Sequence, residues 1–168
     1  MKYLYALIAI TFTSFSNAAE SLDINEIKAG LESKDAKYYS YLLWKDWSKF
    51  QLFLEKVESG DPQWLKVGKL LEQYTDAGVS TALSLTFARA IQNNPKEVLQ
   101  IMSEYDVKWS CSVPLLEPKK SDYDAFVKKT TIAVQSLNVL ELTEKKIVCL
   151  ENLEKARDFS ENHWPDYL

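Results

Sequence analysis

The strongest restriction on the fold of this chain is a set of helix-start signals in its middle third. The stretch DAGVSTALSLTFARAIQNNPKEVL, residues 76–99, has a helix start at Thr75 or Asp76, then an apolar stripe, and a second start at Asn94-Pro95. An Asx side chain accepts a hydrogen bond from a free backbone N–H, and proline at the first helical position has no N–H to lose. Asp61-Pro62 repeats the arrangement. Two starts this close together predict a helical hairpin.

Apolar residues recur in steps of three and four along the rest of the chain and predict about six helices. One helix is expected over 36–57, and its stripe is Ala36, Tyr39, Leu43, Trp47, Phe50, Leu54 and Val57. Ser121, with Asp124 three residues on, and Thr143 are expected to start two later helices. Pro114 and Pro118 interrupt the segment 107–118, which we expect to be irregular or a short strand. The pattern predicts an all-α fold of αα-hairpins.

The residues over 64–71 resemble the first helix of a tetratricopeptide-type hairpin, and those over 87–95 resemble its second helix after three extra residues in the turn. A 34-residue repeat should recur, and it does not recur here. We therefore interpret this region as a single αα-hairpin. Gly68 is the position at which we expect the two helices to approach closely.

The first residues, MKYLYALIAITFTSFSNAA, have the order of an export signal. Lys2 gives a positive start, 4–10 is an apolar run, and 16–18 supplies small residues for cleavage. The run is interrupted before it reaches the roughly 20 apolar residues of a membrane anchor. We therefore predict a signal peptide over 1–18 and a single helical domain over 19–168, in the periplasm or outside the cell. A buried amino-terminal helix is the alternative.

The chain that remains after cleavage is mildly acidic. Lys and Arg total 20 and Asp and Glu total 24, and loss of residues 1–18 removes one lysine, which leaves a net charge of −5. This charge argues against nucleic acid and against anionic membrane surfaces as partners. The hydrophobic share of 46% is enough to fill one core in a domain of this length.

Cys111 and Cys149 are the only cysteines, and both follow the predicted signal. An even pair in an oxidising compartment most simply forms one disulfide. The alternative is two free thiols, one of them catalytic. The sequence has a single histidine, His163, and nothing marks it as the base of such a thiol.

Common motifs for catalysis and cofactor binding do not occur in the sequence. It has no Gly-rich phosphate loop, HExxH, CxxC or GxSxG. One histidine and two cysteines that we expect to be bonded do not form an ordinary transition-metal site. We therefore expect no catalytic, cofactor-binding or metal-binding residues. Asp46 is the carboxylate to note because Trp44 and Trp47 flank it; the plainer interpretation makes Asp46 a surface charge and Trp47 a core residue.

Aromatic residues are concentrated in the predicted helix over 36–57. Tyr41 and Trp44 lie off its main apolar stripe, so they cannot face the same core as the stripe does. Aromatic side chains of this kind are enriched at protein-binding surfaces. We name Tyr41 and Trp44 as candidate partner-binding residues. The alternative is that they cover a second helix.

A series of short motifs runs in order from 64 to 150. They are W-L at 64–65, D-A-G at 76–78, L-x-L-x-x-A-R-A at 83–90, N-P at 94–95, V-L at 98–99, C-S-V-P-L-L-E-P at 111–118 and C-L at 149–150. This order resembles a largely uncharacterised family of small exported proteins of Gram-negative bacteria. The resemblance implies a periplasmic helical protein with its two cysteines paired, and it brings no catalytic residue. The aromatic-rich helix over 38–53 is outside it.

A looser likeness is to the periplasmic immunity proteins of contact-dependent or type VI secretion systems, which are also small, exported, helical and often disulfide-bonded. A likeness of fold does not fix a function. Our first hypothesis is a non-catalytic periplasmic protein that binds a protein partner, either an envelope enzyme or a toxin. The alternatives are a carboxylate-dependent cell-wall or saccharide-active enzyme and a carrier of a small ligand.

Overall fold

A computed structural model describes residues 22–164, so the predicted signal peptide and the last four residues lie outside the described range. The described part contains nine α-helices, one 3₁₀ turn and no β-strand, which confirms the all-α prediction with more helices than expected. The helices are α1 (Ile24–Leu31), α2 (Ala36–Lys45), α3 (Trp47–Glu58), α4 (Pro62–Glu72), α5 (Ala77–Ala90), α6 (Pro95–Ile101), α7 (Glu104–Ser110), α8 (Lys120–Gln135) and α9 (Thr143–Asn162), with the 3₁₀ turn at Leu140–Leu142. None of these helices is both long and apolar enough to cross a bilayer.

The helix starts predicted in the middle of the chain are confirmed. The Asp61 carboxylate accepts hydrogen bonds from the backbone N–H groups at the start of α4, and Pro62 is the first residue of that helix. Asp76 caps α5 by accepting from the Val79 N–H at 3.1 Å, and Asn94 caps α6 in the same way. Each cap satisfies a backbone donor that would otherwise have no partner within the helix.

The helices α3, α4 and α5 pack around the centre of the core. Phe50, Phe53 and Phe87 are among its largest fully buried side chains. Gly68 of α4 lies against both neighbouring helices, since a Cβ atom there would stand 3.1 Å from Cζ of Phe87 and 3.1 Å from Cγ2 of Val57. The close approach expected at Gly68 is therefore confirmed.

The single helix predicted over 36–57 is wrong, because the chain breaks at Asp46 into α2 and α3. Asp46 has an extended backbone, and its carboxylate accepts a hydrogen bond from the Lys49 N–H at 3.1 Å as the cap of α3. Ala36, Leu43, Phe50 and Val57 of the predicted stripe are buried on either side of the break. Trp47, which we expected in the core, is 59% exposed, and Phe53 is buried instead.

The irregular segment begins later than the predicted 107–118. Residues before Cys111 form α7, which starts with a capping box in which Ser103 and Asp106 each accept the other's backbone N–H. The segment from Cys111 to Lys119 is irregular and contains no strand. The predicted cap at Ser121 is also wrong: α8 starts one residue earlier, and its cap position, Lys119, makes no side-chain hydrogen bond.

The two cysteines join α7 to α9. Their sulfur atoms lie 2.01 Å apart and their Cα atoms 5.1 Å apart, and both residues are fully buried. Cys111 ends α7, and Cys149 lies on the buried face of α9 with Leu153. The pair therefore fixes the start of the irregular segment against the longest helix.

Candidate functional site

The face of α2 that turns away from the core forms one wall of an open groove of about 780 Å³. We call it the aromatic groove because four of its lining residues are Tyr38, Tyr41, Trp44 and Tyr74. The other lining residues are polar or charged: Lys34, Asp35, Lys37, Gln73, Thr75 and Asp76. The two candidate residues from the sequence, Tyr41 and Trp44, thus lie together in this groove.

The two walls come from separate parts of the chain. Tyr38, Tyr41 and Trp44 follow one another at three-residue steps on α2, which places them along one side of the helix. Tyr74 belongs to the segment that links α4 and α5. The buried Ser40 hydroxyl of α2 donates a hydrogen bond to the Tyr74 carbonyl oxygen at 3.3 Å. This bond joins the two walls at their base.

The aromatic rings are held in place yet accessible. The rings of Tyr41 and Trp44 meet edge to face, with their centroids 5.1 Å apart, and Lys45 Nζ lies 5.5 Å from the Tyr41 centroid. Tyr38 is 63% exposed, Tyr41 is 39% exposed and Trp44 is half-buried. Neighbouring aromatic side chains that are open to solvent are typical of binding surfaces.

The charges of the groove are two lysines and two aspartates. Lys34 and Lys37 lie beside the amino end of α2, where Asp35 occupies the cap position without a side-chain hydrogen bond. Asp76 lies on the opposite wall and caps α5. Between residues 22 and 164, neither lysine has a carboxylate within ion-pair distance.

Asp46, the carboxylate flanked by tryptophans, does not line the aromatic groove. It is exposed and acts as the cap of α3, which accounts for its position between Trp44 and Trp47. Within the described range, His, Cys, Asp and Glu residues form no group of three or more that could hold a metal ion.

The most connected polar clusters lie elsewhere and tie helices together. Lys69 of α4 contacts Glu72 and reaches Asp106 of α7 at 3.2 Å. In α8, Lys120 contacts Asp124 at 2.8 Å and donates to the Ser160 hydroxyl of α9, which in turn donates to Asp124. Hydrogen bonds from Lys120 and Ser160 hold the pKa of the Asp124 carboxyl below its usual value.

A second groove, of about 660 Å³, lies among α1, α4 and α6. Ile24, Leu70 and Ile101 give it an apolar floor, and Lys28 and Lys66 are among its polar lining residues. It has none of the aromatic side chains that line the first groove. Of the two grooves, only the aromatic groove contains residues that the sequence singled out for binding.

Sequence reasoning missed Tyr74 as a member of the site. Nothing in the segment 72–76 distinguishes this tyrosine from a residue that covers the core. Its place in the groove depends on how the segment after α4 lies against α2, where the Ser40 hydroxyl donates to the Tyr74 carbonyl, and this is a tertiary contact between distant parts of the chain.

No protein-family model, curated protein or solved structure matches this chain.

Proposed function

We propose that this protein is a non-catalytic, exported helical protein that binds a protein partner through the aromatic groove. The supporting observation is the row of exposed Tyr38, exposed Tyr41 and half-buried Trp44 on α2, which lines an open groove together with Tyr74. Tyrosine and tryptophan are over-represented among residues that dominate binding energy at protein interfaces. They offer a large contact area with few rotatable bonds, so little side-chain freedom is lost on binding.

The groove is also built to keep its shape without an occupant. Its aromatic residues project from a helix whose opposite side is buried through Ala36, Ser40 and Leu43. The hydrogen bond from Ser40 to the Tyr74 carbonyl supports the second wall. A binding surface that is already ordered loses less entropy when the partner arrives.

Export supports an envelope enzyme or a toxin as the partner, as for the immunity proteins that the sequence loosely resembles. The sulfur atoms of Cys111 and Cys149 lie at the distance of a disulfide bond, and such a bond is compatible with an oxidising compartment. In the alternative of a carboxylate-dependent enzyme, Asp46 is one candidate residue, and its exposed position and its hydrogen bond to the Lys49 N–H are those of a helix cap.

Affinity capture from the cell envelope, followed by titration of the purified partner, tests the proposal. We expect Trp44→Ala to weaken binding by about 30-fold, the loss typical of a residue central to an interface. Tyr105→Ala is the matched control, because Tyr105 is exposed on α7 and does not line the groove. Equal binding by both variants and the original protein would contradict the proposal.

A further inference from the structure

We infer that the aromatic groove accepts an acidic polypeptide segment, in which carboxylates flank an apolar or aromatic side chain. This inference depends on the proposed function, because it names the chemistry of the partner at the same site. It follows from a comparison of the four charged residues of the groove. Some have a hydrogen bond or a favourable helix end, and the others have neither.

The two lysines of the groove have no compensation within the described structure. Lys34 precedes α2 and Lys37 lies in its first turn, and neither has an ion-pair partner between residues 22 and 164. The amino end of a helix carries partial positive charge from its free N–H groups, so cations there are disfavoured. Both lysines are exposed and can turn toward an incoming anion.

The two aspartates of the groove lie at the amino ends of helices, and Asp76 is also hydrogen-bonded there. Asp76 accepts the Val79 N–H at the amino end of α5, whereas Asp35 occupies the cap position of α2 without a side-chain hydrogen bond. Negative charge at these positions is favoured by the same helix ends that disfavour the lysines. The charges left for an occupant to satisfy are therefore those of Lys34 and Lys37.

The rings determine the rest of the occupant's chemistry. Tyr41, Trp44 and Tyr74 add apolar ring surface to the groove that the two lysines line, which suits an apolar or aromatic side chain. The remainder of the protein is acidic, with a net charge of −4 for the full sequence. An acidic partner is thus repelled by most of the surface and attracted at this groove, which favours a single orientation.

The experiment selects, from a random displayed library, peptides of about 12 residues that bind the purified protein. Peptides that also bind the Trp44→Ala variant are removed from the pool. We expect Asp and Glu to be enriched in the selected pool, together with an apolar or aromatic residue. Synthetic copies of the selected peptides should bind less tightly as salt is raised. The double variant Lys34→Glu, Lys37→Glu should weaken their binding by roughly tenfold or more.

Lys129→Glu, Lys155→Glu is the matched control. It makes the same change in net charge at exposed lysines of α8 and α9, which lie outside the groove. We expect its affinity and melting temperature to equal those of the original protein. Because Lys34 and Lys37 are exposed at a helix end that favours negative charge, their variant should melt at the same temperature or slightly higher, which separates lost binding from lost folding.

Enrichment of neutral or basic peptides that need Trp44 would overturn the acidic inference and leave the proposed function in place. Two other outcomes would overturn both the acidic inference and the proposed function. One is that no Trp44-dependent peptide is selected. The other is that the protein instead shows Trp44-dependent binding on a glycan array. Equal loss of affinity in the two charge-reversal variants would show that only the overall charge matters, which also contradicts the inference.

Discussion

Gly60 is the residue whose backbone most clearly requires glycine. It ends the turn after α3 with a φ of 78°, in the region that side chains rarely adopt. A Cβ atom there would lie 2.6 Å from Cβ of Asn94, whose side-chain amide donates to the Gly60 carbonyl at 2.8 Å. Asn94 also caps α6, so one asparagine secures both the turn after α3 and the start of α6.

Gly60→Ala is expected to lower the free energy of unfolding by about 2 kcal/mol or more, from the unfavourable φ and the clash with Asn94. Gly78→Ala is the control. Gly78 lies in the first turn of α5, and a Cβ there would approach nothing closer than 3.7 Å. We expect the control to be neutral or slightly stabilising, by up to about 1 kcal/mol. Urea denaturation of both variants measures the difference, and equal stabilities would refute the argument.

A second prediction concerns the Asp106 carboxyl at the start of α7. Partial burial raises its pKa, but hydrogen bonds from Ser103 and Lys69 outweigh burial and hold the pKa below its usual value. A lowered pKa in the folded state adds stability above the pKa of the unfolded chain, and this stability is lost as the pH falls through the folded-state value. We therefore expect Asp106→Asn to destabilise the protein at pH 7 and to do so much less at acid pH.

Denaturant unfolding of Asp106→Asn at pH 7 and at about pH 3 tests this expectation. Glu55→Gln serves as control, since Glu55 is exposed on α3 and has no ion pair in the described structure. A destabilisation by Asp106→Asn of equal size at both pH values would show that its charge is not responsible.

Among the elements, the sequence predicted best those helices whose first residues carry their own signal. Asp61-Pro62, Asp76 and Asn94-Pro95 mark the starts of α4, α5 and α6, and the structure places them there. The break at Asp46 was missed because apolar residues continue at helical spacing on both sides of it. An aspartate within an apolar stripe is compatible with a continuous helix and with a cap, and periodicity does not distinguish them.

The capping role of Asp46 can be tested directly. Asp46→Ala removes the acceptor for the Lys49 N–H and is expected to lower stability by about 1 kcal/mol, whereas Asp46→Asn keeps an acceptor and should change stability much less. Thermal unfolding of both variants gives the comparison. A loss of stability in Asp46→Asn as large as that in Asp46→Ala would contradict the assignment of a cap.

The segment around Cys111 illustrates a different limit on prediction. Pro114 and Pro118 correctly indicated an interruption, but they did not show where it begins. The capping box of Ser103 and Asp106 marks the start of α7, and it lies in a short polar run that resembles a loop. Tyr41 and Trp44 were identified from the sequence, whereas the opposite wall of the groove depends on contacts that only the folded chain makes.

At the scale of the whole molecule, the Cys111–Cys149 pair joins regions that are 38 residues apart in sequence. In the chain-entropy account, closing a loop of this size stabilises the fold by about 3–4 kcal/mol, because the unfolded chain has fewer conformations. We therefore expect reduction to lower the melting temperature by several degrees or more.

Thermal unfolding with and without reductant measures this effect, and mass measurement before and after alkylation establishes the bond. The double variant Cys111→Ser, Cys149→Ser is the control, and its melting temperature should not respond to reductant. Two free thiols in the oxidised protein would contradict the prediction. So would a melting temperature that reduction leaves unchanged.

The position of the disulfide relative to α2 has one further consequence. α2 packs chiefly on α1 and α3, whereas the disulfide connects the end of α7 to α9, which packs chiefly on α7 and α8. Loss of the disulfide therefore removes a constraint that lies outside the main contacts of α2. A reduced molecule would thus be less stable, but as long as it is folded it would keep the aromatic groove in the same shape.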